Sequence, residues 1–129
     1  MPDTVREGTV SVLGAEVRGP IDHLEWFPAP PHCTRVRFTT HELSSVCPVT
    51  GQPDISSVVI EYEPSQRCIE SKSLKLYLWS FRDRAVFAEA LAVEIAEEVK
   101  RAAEPRWVKV VLTQHARGGI VTEATAELS

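Results

Sequence analysis

The stretch Asp83-Arg84-Ala85-Val86-Phe87-Ala88-Glu89-Ala90-Leu91-Ala92-Val93-Glu94-Ile95-Ala96-Glu97-Glu98-Val99-Lys100-Arg101-Ala102-Ala103 is the clearest element of the chain. Phe87, Leu91, Ile95 and Val99 recur at helical spacing, which predicts an amphipathic helix over 84–103 with Asp83 as its N-cap. Glu104-Pro105 ends it, because the residue before proline is driven out of the helical region. Working outward, Ser71–Phe81 fits a helical face through Leu74, Leu78 and Phe81 and a strand through Leu74, Leu76 and Leu78; Ser71 and Ser73 as N-cap candidates favour the helix. Before it, Cys33–Thr39 alternates, and Val58, Ile60 and Tyr62 alternate up to Pro64, so two strands are expected. After the helices, Val108, Val110 and Leu112 alternate, Gly118-Gly119 forms a turn, and Ile120-Val121-Thr122 opens a fourth strand. The order is ββααββ, an α+β class.

The 129 residues suit a single domain spanning 1–129. Residues 1–32 read as an N-terminal arm and proline-rich loop, with Thr9–Gly14 as a short strand or an arm on a neighbour. Phe27-Pro28-Ala29-Pro30-Pro31 is barred from a helix interior or a central strand, since proline lacks the donor and fixes φ. A domain of this size buries only about two-thirds of its unfolded surface, so a deep pocket competes with the core. Sites between subunits relieve that conflict. The net charge of −4 runs against non-specific nucleic-acid binding. No apolar run is long enough to span a membrane, and the first residues lack the apolar stretch of a signal peptide. Three cysteines make a disulfide framework unlikely, and a reducing cytoplasm is the expected setting.

Two motifs carry chemistry. Ser45-Val46-Cys47-Pro48-Val49-Thr50-Gly51-Gln52-Pro53-Asp54 sets a cysteine and a carboxylate seven residues apart in a turn-rich loop. A thiolate is the attacking form of cysteine, and a nearby acid supplies a proton to whatever it attacks. The bland alternative is a buried Cys47 and a turn-capping Asp54. Cys33 and Cys68, without such a context, read as packing residues. Zinc is disfavoured, because Cys47 is followed by Thr50 where a second ligand belongs and His32-Cys33 is adjacent rather than spaced; no metal is expected. The second motif is Glu70-Ser71-Lys72-Ser73-Leu74-Lys75-Leu76-Tyr77. Lys72 and Lys75 share one helical face, and a helix N-terminus adds backbone donors that suit a phosphate. The alternative is a solvated pair of surface lysines. No G-x-G-x-x-G follows a strand, so a Rossmann module is absent.

Both motifs resemble the QueF family, the nitrile reductases that act on 7-cyano-7-deazaguanine in queuosine biosynthesis, of the short single-domain type. The resemblance runs from about Arg35 to Ile120. It implies the tunnelling fold, a ββααββ unit with an antiparallel sheet and two helices that assembles into a multi-subunit barrel. It also implies a homo-oligomer with active sites between subunits, a decamer of two pentamers. The implied reaction reduces a nitrile to a primary amine with two NADPH per turnover, through a covalent thioimide. By resemblance Cys47 is the nucleophile and Asp54 the proton donor, an aspartate whose pKa should be raised by partial desolvation. Glu89, Phe87, Glu70 and Ser71 are implied substrate contacts. Lys72, Lys75, Ser73, Arg117 and Gly118 are implied cofactor contacts. On a helical wheel Glu89 falls beside Ala92, Val93 and Ala96, where an acid needs a partner, and a guanine-like ring offers two N–H donors. One departure stands out: many members carry histidine before this glutamate, and here it is Ala88. His115, a water or Asp54 itself is then the expected proton relay, and His23, His32 and His41 receive no chemistry. Two other classes stay open. One is the related enzyme that adds ammonia to a nitrile carried on tRNA, which the lysine motif argues against. The other is a non-catalytic purine- or pterin-binding module.

Overall fold

A computed structural model describes residues 19–129. The expected element at Thr9–Gly14 lies outside them. The chain forms β1 (Trp26–Pro28), β2 (Val36–Val46), β3 (Pro53–Glu63), β4 (Arg67–Ile69), α1 (Ser71–Trp79), α2 (Ala88–Ala103), β5 (Trp107–Arg117) and β6 (Ile120–Leu128). An antiparallel sheet in the order β2-β3-β5-β6 carries the two helices, and β1 pairs with β4 in a small ribbon. The ββααββ order holds.

Alternation builds the core. Asp54, Ser56, Val58, Ile60 and Tyr62 of β3 point to the buried face, and Val108, Val110 and Leu112 of β5 join them. Against that face lies the apolar stripe of α2, Leu91, Ile95 and Val99, flanked by buried Ala92, Ala96 and Ala103. The small alanines let the helix lie close to the sheet.

Several boundaries differ from the sequence reading. α2 begins at Ala88, with Phe87 as an N-cap that makes no side-chain bond, rather than at 84 after Asp83. Residues 84–86 are extended because β2 satisfies their backbone: Val46 N–H donates to Arg84 O at 2.9 Å and Val86 N–H to Val46 O at 3.1 Å. The helix ends as expected, with Glu104 in the left-handed region before Pro105. α1 stops at Trp79 and is capped by Glu70, not by a serine. Both Glu70 carboxylate oxygens are engaged, accepting from Lys72 N–H at 2.9 Å and Ser73 N–H at 2.7 Å. Glu70→Ala therefore orphans two donors in the first turn and is expected to cost about 1–2 kcal/mol, read from the denaturant midpoint.

The stretch expected as an arm is, from residue 21 on, fastened to its own chain. Leu24 is buried, and its N–H donates to Glu98 Oε2 at 2.7 Å. The β1–β4 ribbon was not foreseen, since three-residue strands carry too little alternation to read. The Arg67 guanidinium lies 4.1 Å from the Trp26 ring centre, and Ile69 N–H donates to the Tyr62 hydroxyl at 2.7 Å. Pro28 sits at the end of this ribbon, a place that spares its missing donor.

Candidate active site

Two register shifts decide which side chains meet. In β2 the pairing with β3 slips by one residue between Thr40 and Leu43. Before the slip Val36 and Phe38 turn toward the core; after it Leu43 and Ser45 do. A one-residue slip exchanges the two faces of a strand, and bulges of this kind gather beside active sites. Cys47 follows two residues after Ser45, which pairs with Asp54. In β5 a second slip lies between Gln114 and Arg117. It brings Arg117 to the buried face at the position beside Asp54. Asp54 on β3 is thus flanked by the Cys47 loop on one side and Arg117 on the other.

The loop is tightly bonded. Cys47 N–H donates to Gln52 O and Gly51 N–H to Cys47 O, both at 2.9 Å. Gly51 has φ of 75°, a conformation that favours glycine at this turn. Thr50 N–H donates to Cys47 Sγ at 3.5 Å. Asp54 is only 2% exposed and is ion-paired with Arg117. The same guanidinium donates to Gln52 Oε1 at 2.8 Å and Thr50 Oγ1 at 3.3 Å. Hydrogen bonds from Thr50, side chain and backbone, with one from Val49 and a further one from Arg117, outweigh desolvation and bring the Cys47 thiol down to about 7. The thiolate fraction consequently rises through neutral pH, not a unit or two above it. Iodoacetamide should alkylate Cys47 with a half-maximal rate near pH 7, while the buried Cys68, whose thiol burial pushes up, stays slow.

The backbone bridge between Val46 and Ala85 sets the start of α2 against this loop. Phe87 and Glu89 therefore belong to the same end of the molecule as Cys47. Glu89 is exposed, as are Phe87 (55%) and Val93 (44%) beside it. Ala92 and Ala96, the wheel neighbours of Glu89, are buried, whereas Glu89 itself stands on the first turn of α2 and is exposed.

The lysine motif lies apart. A groove of about 550 Å³ runs between β2 and α1. Ser71, Lys75, Trp79 and Arg82 line one side, and Phe38, Thr40 and Ser44 the other. Cys47 is not in its wall, but β2 runs from groove to thiol, and three residues of strand from Ser44 span about 10 Å. Lys75 is exposed and Lys72 half-buried. The helix N-terminus does not offer the open donors expected for a phosphate, because Glu70 fills two of them. Ser73 is fully buried: its hydroxyl donates to Glu70 O at 2.7 Å and accepts from Glu25 N–H at 3.0 Å. That engagement keeps Ser73 from a cofactor in this arrangement and makes it a brace for α1. Gly118, with φ of 60°, forms with Gly119 the turn that joins Arg117 to its partner Ile120. Among the described residues, no three His, Cys, Asp or Glu side chains converge as a metal site.

These features have counterparts in known proteins. Residues 53–129 match the family model described as QueF-like protein. The NADPH-dependent 7-cyano-7-deazaguanine reductase of Alkalilimnicola ehrlichii is 46% identical over 112 residues, covering 84% of this chain and 85% of that protein. The chain belongs to the QueF-like family. The reductase of the same name from Nitrosospira multiformis is 39% identical over 110 residues, covering 84% of this chain and 79% of that one. Among solved structures, the archaeosine synthase QueF-Like in its apo form superposes with a TM-score of 0.69 at 34% identity, covering 73% of this chain and 92% of that chain. The fold is accordingly the tunnelling fold of QueF-like proteins.

Within that family this chain's Ala88 is buried at the first turn of α2. Within one chain His115 is held away from that position. Its Nε2 lies 3.2 Å from Ser57 Oγ, which also meets His41 Nδ1 at 3.0 Å, on the opposite face of the sheet from Asp54. Thr50, expected from its place in a donor-rich loop beside Cys47, also partners Arg117, and Gln52 joins it there without a sequence signal of its own. Glu25, a 2%-exposed acid, lies instead at the start of α1: its carbonyl accepts from Glu70 N–H at 2.8 Å and its carboxylate meets His23 at 3.1 Å. An acid between Leu24 and Trp26 in an apolar run was the signal that could have found it.

Proposed function

We propose that the chain is an NADPH-dependent nitrile reductase that converts 7-cyano-7-deazaguanine to its aminomethyl product through a thioimide on Cys47. The observation that carries this reading is geometric: Cys47 Sγ accepts from Thr50 N–H in a loop whose Thr50 and Gln52 share one guanidinium with the buried Asp54. Cys47 Sγ forms a bond to the nitrile carbon, and the nitrogen takes up a proton. The thiol's own proton balances that step, and Asp54 is the group placed to pass it on. NADPH, when bound, supplies the two hydrides. The first hydride adds with one proton from solvent, the C–S bond breaks and Cys47 leaves as thiolate; the released iminium takes the second hydride to give the amine, and the thiolate regains a proton from solvent. Glu89 and Phe87, both exposed at the Cys47 end, are the proposed holds for the purine edge and face. A second copy of the chain closes the pocket over them. β2 and β6 are the edge strands of the sheet, and their edges, beyond the Val46–Ala85 bridge that covers the end of β2, are the proposed joins between barrel-forming copies.

The groove fits a phosphorylated cofactor. Lys75 and Arg82 outweigh the one carboxylate of its lining, Glu42, while Ser71 gives a hydroxyl donor and Trp79 an aromatic wall. Mixing protein with the nitrile should oxidise two NADPH per nitrile, followed by absorbance. Lys72→Ala combined with Lys75→Ala should raise KM for NADPH at least ~10-fold, since charge-assisted phosphate bonds are lost. The covalent adduct should persist in that variant, and its disappearance would contradict the cofactor assignment. Addition of ammonia to a tRNA-borne nitrile, the second reading, instead predicts nitrile loss with no NADPH oxidation.

A further inference from the structure

The resemblance gives Arg117 to the cofactor, yet here its guanidinium is turned inward onto the nucleophile loop. It pairs with Asp54, donates to Gln52 Oε1 at 2.8 Å and Thr50 Oγ1 at 3.3 Å, and reaches Cys47. This placement is built in. The slip between Gln114 and Arg117 changes the face that Arg117 presents, and the two-residue Gly118-Gly119 turn fixes the end of β5. With regular pairing, Ala116 would stand beside Asp54. Only a planar fork with several donors can serve a carboxylate, an amide and a hydroxyl together.

We propose that, within the reductase reading above, Arg117 is the positioning residue of the nucleophile loop: its guanidinium ties Thr50, Gln52 and Asp54 into the arrangement that presents Cys47 Sγ, before any cofactor arrives. Thr50 is the link to sulfur, since its N–H donates to Sγ at 3.5 Å while its hydroxyl is held by Arg117. Other charged groups at this end are the exposed Asp83, Arg84, which is paired with Glu94 of α2, and Glu89 on the first turn of α2. None of them bonds the loop side chains. Arg117 and Asp54 are thus the charges that the loop itself contacts.

The test is the pH profile of iodoacetamide alkylation of Cys47 in the full chain, without nitrile or NADPH. Arg117→Gln should move the midpoint upward by about one unit, which from a midpoint near 7 slows alkylation at pH 7 about fivefold. Profiles that superimpose, with only KM for NADPH raised, overturn the proposal and leave Arg117 a cofactor contact. If Arg117→Gln does not fold, Arg117→Lys carries the test. One ammonium cannot hold three acceptors in a plane, so the rate at pH 7 should fall at least ~3-fold; an unchanged rate overturns the proposal. Because this readout uses neither nitrile nor NADPH, a wild-type protein that forms no nitrile adduct counts against the reductase reading alone.

Discussion

Cys47→Ala is expected to lose nitrile-dependent NADPH oxidation by at least ~10³-fold, because no other group can form the covalent intermediate. The remaining cysteines offer no substitute. Cys68 is buried on β4, and Cys33 lies before β2, away from Asp54 and the start of α2. The fold should survive, since Cys47 is half-buried in a loop held by backbone bonds that alanine keeps. Unchanged near-UV circular dichroism and unchanged NADPH binding would show that only chemistry was lost. A variant that kept a tenth or more of wild-type turnover would remove the thioimide from the mechanism.

Asp54→Asn should lower turnover by roughly 10²- to 10⁴-fold, the usual range for losing a positioned proton donor or acceptor. Asparagine preserves the shape of the side chain and an acceptor for Arg117, so the loop should keep its arrangement. What it lacks is the capacity to carry a proton to the nitrile nitrogen. Adduct formation without NADPH should slow by a similar factor, because the proton is needed in that step. If the adduct formed at the wild-type rate and only hydride transfer slowed, the proton would enter later than proposed.

The legible parts of this sequence are those whose pattern has one physical meaning. Leu91, Ile95 and Val99 lie at one spacing because one helix face meets the sheet. Val108, Val110 and Leu112 alternate because one face of β5 is buried. Cys47 and Asp54 were readable from residue type and context. The illegible parts depend on relations between strands. No residue type marks the slips in β2 and β5, yet they decide that Cys47, Asp54 and Arg117 share a face. The start of α2 was misread because Val86 is apolar and buried like a helical residue while its backbone bonds to Val46. The cap of α1 was given to serine, the commoner capping residue, when Glu70 has the longer reach to two N–H groups. Glu89 shares a wheel sector with the buried Ala92 and Ala96, but a wheel carries no position along the axis, and Glu89 stands at the open first turn.

The most direct test is intact-protein mass followed by peptide mapping after wild-type protein meets 7-cyano-7-deazaguanine without NADPH. A single added nitrile on the peptide that contains Cys47, released when NADPH is supplied, is the expected result. No adduct, or an adduct on the peptide of Cys33 or Cys68, would contradict the account.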